Sequence, residues 1–260
     1  MADNLDDEWW NDGNSSGKGN NSDEENAPKD KAAEATVHTE EEGPPKKKRK
    51  RNRKRITDEL KEKGDKPSSA EDFISFLKKQ FEGKLSPVEC DEIQLDPDTH
   101  FFKANPSSEF QVAYLRLVLP KWKKVKQTVV EPGSPALLVV CPSALRAVDL
   151  NRKLQEFKGE ECRCAKLFAK HMKLPEQQKF LEKSVVHMGI GTPSRILALI
   201  KSGHLKLAHL SAVVVDWNWR DVKKHRLVDV PELRGELATL LQTCLIPHLK
   251  SHMKWKIGIL

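Results

Sequence analysis

The sequence lacks a long apolar run, a secretory leader and paired cysteines, and each absence removes a class of protein. No stretch of about 18 apolar residues occurs, so a membrane-spanning helix is not expected. Four of the first eight residues are acidic and no apolar segment follows them, which argues against a secretory signal. The five cysteines form no C-x-x-C pair, so neither a disulfide framework nor a zinc ribbon is indicated. We expect a soluble intracellular protein.

Apolar residues are also scarce, and charge is unevenly distributed. Hydrophobic residues make up only 38% of the 260 residues, which suggests a folded part diluted by a disordered one. Residues 1–45 contain 13 acids and three lysines, whereas residues 46–55 contain nine cations and no acid. Without periodic apolar residues, this part of the chain cannot offset its conformational entropy. We therefore predict a disordered tail over residues 1–66.

The cationic segment of the tail predicts nuclear transport. Its nine cations are Lys46, Lys47, Lys48, Arg49, Lys50, Arg51, Arg53, Lys54 and Arg55. Such density on an extended chain suits the acidic grooves of a nuclear import receptor and also RNA phosphates. The alternative is a block of charge that is merely solvated. We favour import, with a nuclear and nucleolar location.

A second feature of the tail is a pair of tryptophans among acids. Trp9 and Trp10 follow Asp6, Asp7 and Glu8. Such a segment can dock into a groove of a partner. A chance aromatic pair in a disordered tail explains it equally well. The tail is therefore one candidate for the binding function, with the folded part as its scaffold.

Beyond the tail, apolar segments alternate between strand and helix patterns. A capping-box pattern at Ser68–Glu71 predicts a linking helix over residues 67–84. Short apolar segments predict five strands, near residues 136–140, 162–168, 185–190, 212–215 and 256–260. The segments between them have the spacing of amphipathic helices. This alternation predicts one α/β domain over residues 85–260, with a parallel sheet and helices on both faces.

Three strand ends carry motifs that resemble a known family. The ends are Val140-Cys141-Pro142-Ser143, Gly191-Thr192-Pro193-Ser194-Arg195-Ile196 and Val215-Asp216-Trp217-Asn218-Trp219. In this order they resemble the first RecA-like domain of a DEAD-box RNA helicase. The whole layout of tail and domain looks like the Cms family of ribosomal small-subunit assembly proteins. The resemblance implies a RecA-like fold, RNA and ribosome-assembly proteins as partners, and a role in small-subunit biogenesis.

The departures from the helicase pattern argue against catalysis. The sequence contains no G-x-x-x-x-G-K-[ST] phosphate loop. Counting from the following helix, Phe110 takes the position of the lysine, and Glu109 places negative charge near it. Asp216 remains, but Trp217 replaces the acid beside it. No second RecA-like domain follows within these residues, so we expect no enzyme, no cofactor and no metal. A weak RNA-dependent ATPase with a divergent phosphate site is the alternative.

Asp216 and the two tryptophans after it admit more than one role. Asp216 could face a hydrated Mg²⁺, but a polar residue at a strand boundary is the simpler interpretation. Trp217 and Trp219 alternate with Asn218 and are expected to share a face. They could fill the core or plug a vacant nucleotide pocket.

The positions expected to contact RNA lie where helices begin after strands. Ser143 and Thr192 each precede a helix, and Arg195 lies one turn into the second helix. Helix starts offer unpaired N–H groups and a positive dipole end, which suit phosphate oxygens. Ordinary capping, with Arg195 in a surface salt bridge, is the alternative. Where the helicases have arginine in the earlier motif, this chain has Ala144.

Two further sequence patterns are candidate sites. Trp122 lies among the cations Lys121, Lys123 and Lys124, which could bind RNA by stacking and charge or could form a solvated helix end. His248 and His252 have the i, i+4 spacing of two metal ligands, but a third ligand is not evident, so no zinc site is predicted.

Overall fold

The structure is a computed structural model, and it describes residues 68–105, 112–252 and 254–260. The predicted tail over residues 1–66, including Lys46–Arg55 and the Trp9–Trp10 pair, lies outside the described residues. The same is true of residues 106–111, which include Glu109 and Phe110. In the described part of the chain, no helix is both long enough and apolar enough to cross a membrane.

Five strands and eleven α-helices are found in the described residues. The strands are β1 (Leu137–Val140), β2 (Cys164–Leu167), β3 (Met188–Gly191), β4 (Ala212–Val215) and β5 (Lys256–Ile259). The helices are α1 (Ala70–Phe81), α2 (Pro87–Ile93), α3 (Pro97–His100), α4 (Val112–Val118), α5 (Trp122–Gln127), α6 (Ala144–Lys153), α7 (Gln155–Lys158), α8 (Leu174–Lys183), α9 (Pro193–Lys201), α10 (Pro231–Leu240) and α11 (Ile246–His252). A π-helical turn, Leu241–Leu245, joins α10 to α11.

The strands form one sheet in the order β2-β3-β1-β4-β5, and every pair is parallel. The prediction of an α/β fold with a parallel sheet is therefore confirmed. β1 lies at the centre, where Val140 is in register with Gly191 of β3 and Val215 of β4. These three strands consequently end side by side at one edge of the sheet.

Both faces of the sheet are buried, as expected of a parallel sheet. Alternate residues of β1 enter two different hydrophobic clusters, with Leu138 and Val140 in one and Leu137 and Val139 in the other. The first cluster contains apolar residues of α1 and α8–α11. The second contains apolar residues of α4–α7. The helices therefore cover both faces of the sheet.

The start of α1 differs from the sequence prediction by one residue. Ser69, not Ser68, is the N-cap, and its side chain forms a capping box with Asp72. The predicted linking helix packs into the core of the sheet, because Phe73 is fully buried in the first cluster. Sequence reasoning also missed α2, although Ser86 and Glu89 form the same kind of box.

The outer edge of β5 is covered by the segment that leads towards α4. Phe101 forms a parallel bridge with Ile257, and the Phe102 N–H donates to the Ile257 carbonyl at 2.9 Å. From α4, the Tyr114 hydroxyl accepts a hydrogen bond from the Ile259 N–H at 3.2 Å. An exposed strand edge invites pairing with other chains, and these contacts prevent it.

Candidate functional site

The candidate site lies at the edge where β1, β3 and β4 end. In parallel sheets, ligands bind outside the carboxyl ends of the strands. Ser143 follows β1, Thr192 follows β3, and Asp216 directly follows β4. Because β1 lies between the other two strands, Ser143 comes between Thr192 and Asp216 along this edge.

The start of α6 is closed by its own residues. Ser143 is the N-cap, and its hydroxyl accepts a hydrogen bond from the Arg146 N–H at 3.2 Å. The Cys141 thiol before it is buried and donates to the Gly191 carbonyl at 3.3 Å. Burial raises the pKa of the Cys141 thiol. The predicted capping by Ser143 is therefore seen, and Cys141 is not a reactive thiolate.

Arg146 and Asp216 form a buried ion pair with two hydrogen bonds. The Arg146 Nε donates to one carboxylate oxygen of Asp216 at 2.7 Å, and the Nη2 donates to the other at 3.0 Å. The Asp216 side chain is 1% exposed and that of Arg146 is 4% exposed. Burial raises the pKa of Asp216, and the hydrogen bonds from Arg146 oppose that shift. Both carboxylate oxygens are thus occupied by an internal cation.

Trp217 and Trp219 do not share a face, so this expectation is wrong. Trp217 is 2% exposed and packs against Phe73 and Phe76 of α1, with ring centroids 4.9 and 5.3 Å away. Trp219 is partly exposed, and its ring lies 5.0 Å from the Arg146 guanidinium carbon. Trp217 therefore fills the core on one face of the sheet. Trp219 covers the ion pair by a cation–π contact.

The start of α9 is more open than that of α6. A Cβ on Gly191 would lie 1.9 Å from the Leu167 carbonyl oxygen, so only glycine allows β2 and β3 to approach here. Thr192 is the N-cap of α9, but its side chain makes no capping hydrogen bond. Thr192 is partly exposed, and Ser194 is exposed.

Arg195 is oriented by neutral partners rather than by a carboxylate. Its Nη1 donates to the Met172 carbonyl at 3.1 Å and to the Gln177 side-chain oxygen at 2.9 Å. Arg195 is partly exposed, and burial lowers its pKa. The surface salt bridge that is the alternative for Arg195 is not found among the described residues. Within the part of the chain that the structure describes, no acid pairs with its positive charge.

Arg146 is the residue of this edge that sequence reasoning missed. The helicase pattern has its arginine at the position of Ala144, and in this chain an arginine lies two residues later. A signal was available, because Ser143 and Arg146 repeat the spacing of Thr192 and Arg195. In both segments a hydroxyl residue occupies the N-cap position of a helix and an arginine follows three residues later.

The remaining sequence candidates have structural roles. Trp122 is 5% exposed and stacks on Phe157 at 5.1 Å, so the idea that its ring stacks on RNA bases is wrong. The His248 Nδ1 accepts a hydrogen bond from Trp255, and the His248 and His252 rings stack at 4.1 Å. The described residues hold no group of three metal-ligating side chains.

Comparison with known proteins identifies the family of this chain. Protein CMSS1 of Homo sapiens is 41% identical over 207 residues, which are 80% of this chain and 73% of that protein. Protein CMSS1 of Xenopus laevis is 42% identical over 193 residues, 74% of this chain and 69% of that protein. Protein CMS1 of Chaetomium thermophilum is 33% identical over 174 residues, 65% of this chain and 69% of that protein. The model of the CMS1 family, described as a U3-containing 90S pre-ribosomal complex subunit, matches residues 16–258, and the chain belongs to this family.

Proposed function

We propose that this protein is a non-catalytic, RNA-binding assembly factor of the small ribosomal subunit that acts in the nucleus and nucleolus. The ribosomal part of this proposal rests on the family, whose description names a subunit of a pre-ribosomal complex. The RNA-binding part and the absence of catalysis rest on the carboxyl edge of the sheet. Its partners are pre-ribosomal RNA, other assembly proteins and a nuclear import receptor.

The buried pair of Arg146 and Asp216 is the observation that carries the non-catalytic part. A hydrated Mg²⁺ needs carboxylate oxygens that can face it or its waters. Both oxygens of Asp216 accept hydrogen bonds from Arg146, and Trp219 lies against the same guanidinium. Separating a buried ion pair is costly, because it leaves charge without a partner in a medium of low polarity. Asp216 therefore supports the sheet edge instead of holding a metal for phosphoryl transfer.

We interpret the domain as RecA-like, with a degenerate phosphate loop. The segment at Phe101 runs parallel to β5 and is followed by residues 106–111 and then by α4. A phosphate loop occupies this kind of position, between a strand and a helix. The sequence of residues 106–111, Pro-Ser-Ser-Glu-Phe-Gln, supplies neither glycine nor lysine for phosphate binding.

The β3 side of the edge is the better candidate for RNA. Thr192 has a hydroxyl that does not cap α9, and Arg195 has a charge that no acid pairs among the described residues. Both groups lie at the N-terminal end of α9, where the helix dipole favours anions. A phosphate could be bound there by N–H groups, a hydroxyl and a cation together. Ser143, at the neighbouring start of α6, accepts a hydrogen bond from the Arg146 N–H but can still donate its own O–H to a phosphate.

The nuclear location is proposed from the nine cations of residues 46–55. The test is imaging of the full chain with these nine residues replaced by glutamine. We expect loss of nuclear accumulation. Unchanged nucleolar signal would overturn the role of this segment, because the folded domain would then suffice for localisation.

The function as a whole is tested by crosslinking the protein to RNA in cells and sequencing the attached RNA. We expect reads to be enriched on the precursor of the small-subunit ribosomal RNA and on RNAs bound to it. A comparison variant replaces Arg195 by alanine, and it should give fewer crosslinks from the folded domain while its abundance is unchanged. Reads spread over messenger RNA, or none above background, would overturn the proposal.

A further inference from the structure

A basic loop follows β4 and has no part in the site described so far. Residues 220–226, here named the β4 loop, read Arg-Asp-Val-Lys-Lys-His-Arg. The loop begins one residue after Trp219, which contacts Arg146 of α6. It therefore leaves the sheet at the same carboxyl edge as Ser143 and Thr192.

The β4 loop is ordered by its single acid. One carboxylate oxygen of Asp221 accepts hydrogen bonds from the backbone N–H groups of Lys223 and His225, both at 2.8 Å. The Asp221 N–H donates to the His225 carbonyl at 2.9 Å, which closes the loop. The Arg220 Nη1 donates to the Lys224 carbonyl at 3.0 Å. A loop held in this way loses little entropy when a ligand binds to it.

The lysines at the tip are directed towards solvent. Val222 is 97% exposed, and Lys223 and Lys224 are exposed as well. Among the described residues, no carboxylate lies within ion-pair distance of either lysine, whereas Arg226 is paired with Asp229 at 3.1 Å. Lys224 has a φ of 65°, in the left-handed region that side chains rarely adopt. Two adjacent ammonium groups are thus presented by a strained but hydrogen-bonded turn.

The position of the loop relates it to the proposed RNA surface. β3 and β4 lie on either side of β1, so their ends are about 10 Å apart at the usual strand spacing. Thr192 and Arg195 lie at the β3 end, and the β4 loop lies at the other. A strand of RNA that crosses this edge would meet cations at both ends. The exposed side chains of the loop are Val222, Lys223, Lys224 and His225, so basic groups outnumber the single apolar one, which favours a phosphate backbone over a protein groove.

We infer that the β4 loop is a second contact for RNA phosphates, made by Lys223 and Lys224 and kept in shape by Asp221. The inference rests on the proposed RNA binding of the same edge and extends it from β3 to β4. Contacts of this kind position an RNA strand without reading its sequence.

The test measures RNA affinity of the full chain at several salt concentrations, with a single-stranded oligonucleotide of mixed sequence as the probe. All variants carry glutamine at the nine cations of residues 46–55, so that the tail does not mask the domain. Replacing Lys223 and Lys224 by glutamine should weaken binding about 2- to 30-fold, as for two exposed charge contacts. The slope of log affinity against log salt should decrease in magnitude by about 1.4.

A matched control replaces Lys78 and Lys79, two adjacent exposed lysines of α1, by glutamine. This control should leave the salt slope unchanged. Asp221→Asn keeps the acceptor oxygen and removes a negative charge, so it should strengthen binding, whereas Asp221→Ala releases the loop and should weaken it.

The outcomes separate the inference from the proposed function. If the common parent variant binds RNA but the Lys223 and Lys224 replacements behave like the α1 control, the β4 loop is not an RNA contact. If those replacements instead remove a co-purifying protein at unchanged RNA affinity, the loop is a protein surface and the inference is also overturned. If the parent variant does not bind RNA at all, the RNA binding proposed for the whole edge fails, and the inference fails with it.

Discussion

The starts of α6 and α9 are two copies of one local pattern with different outcomes. In each, a hydroxyl residue occupies the N-cap position and an arginine follows three residues later. Arg146 is buried and paired with Asp216, whereas Arg195 is partly exposed and bound by neutral oxygens. The difference comes from the neighbouring strand. β4 brings an aspartate beside α6, but the segment after β2 brings a carbonyl and an amide beside α9. The same sequence pattern therefore gives a closed helix start at α6, where Arg146 is paired with Asp216, and an open helix start at α9, where Arg195 has no paired acid among the described residues.

The largest expected effect is a loss of stability when the buried ion pair of Arg146 and Asp216 is broken. Arg146→Ala should lower the free energy of unfolding by about 3–5 kcal/mol, because it leaves the buried Asp216 carboxylate without its partner. Urea unfolding followed by circular dichroism measures this loss. The double variant Arg146→Met with Asp216→Leu should recover most of the stability, since a well-packed apolar pair can replace a buried ion pair. A double variant no more stable than Arg146→Ala would contradict this account.

The loss in Arg146→Ala should also depend on pH. Burial already raises the pKa of Asp216 above the usual range of an aspartate, and losing the hydrogen bonds from Arg146 raises it further. The folded variant then holds a proton that the unfolded chain has released, so the contribution of Asp216 to stability is greatest at low pH and declines as pH rises towards the pKa of the folded variant. The deficit relative to the unmodified protein should be smaller at about pH 5 than at about pH 7.5. An equal deficit at both values would mean that Asp216 stays ionised without Arg146.

A smaller effect, on RNA affinity, is expected from changes at the start of α9. Arg195→Ala should weaken RNA binding by about 1.5 kcal/mol or less, because a partly exposed charged contact lies at the lower end of the usual range. The control is Gln177→Ala, which removes one hydrogen bond of Arg195 but keeps its charge. Affinity measurements should show a weaker loss in the control. Equal affinities for both variants and the parent would make Arg195 a structural residue.

The smallest expected effects are on stability, and they should differ between Ser143 and Thr192. Ser143→Ala removes a capping hydrogen bond and should lower stability by about 1 kcal/mol. Thr192→Ala removes no such bond and should change stability by less than about 0.5 kcal/mol. Thermal unfolding of the two variants, side by side, tests this order. Stability losses of similar size would mean that the two helix starts are equivalent after all.

The sequence predicted the strands well because each is a short apolar segment. β1 and β4 lie within one residue of the predicted limits, but β3 begins at Met188, three residues later than expected. Val185 pairs in an isolated antiparallel bridge with Pro132 instead of entering the sheet. Apolar character alone does not distinguish such a bridge from a parallel strand.

The site was predicted only where the signal is local. The capping by Ser143 follows from its own position, whereas the pairing of Arg146 joins residues 70 positions apart in the chain. Trp217 and Trp219 have the alternation of a strand, but β4 ends at Val215, so the alternation does not apply to them. Pairings of this kind depend on which strands are neighbours, and that order cannot be deduced from spacing.

We propose that this edge of the sheet binds RNA, whereas the ion pair of Arg146 and Asp216 closes its β1–β4 side to nucleotide chemistry. The most direct test is an RNA titration of the full chain with glutamine at the nine cations of residues 46–55, in the presence and absence of ATP and Mg²⁺. We expect salt-dependent RNA binding with the same affinity in both conditions, and no release of phosphate above a control without protein. RNA affinity that changes with ATP, or phosphate release stimulated by RNA, would contradict the claim.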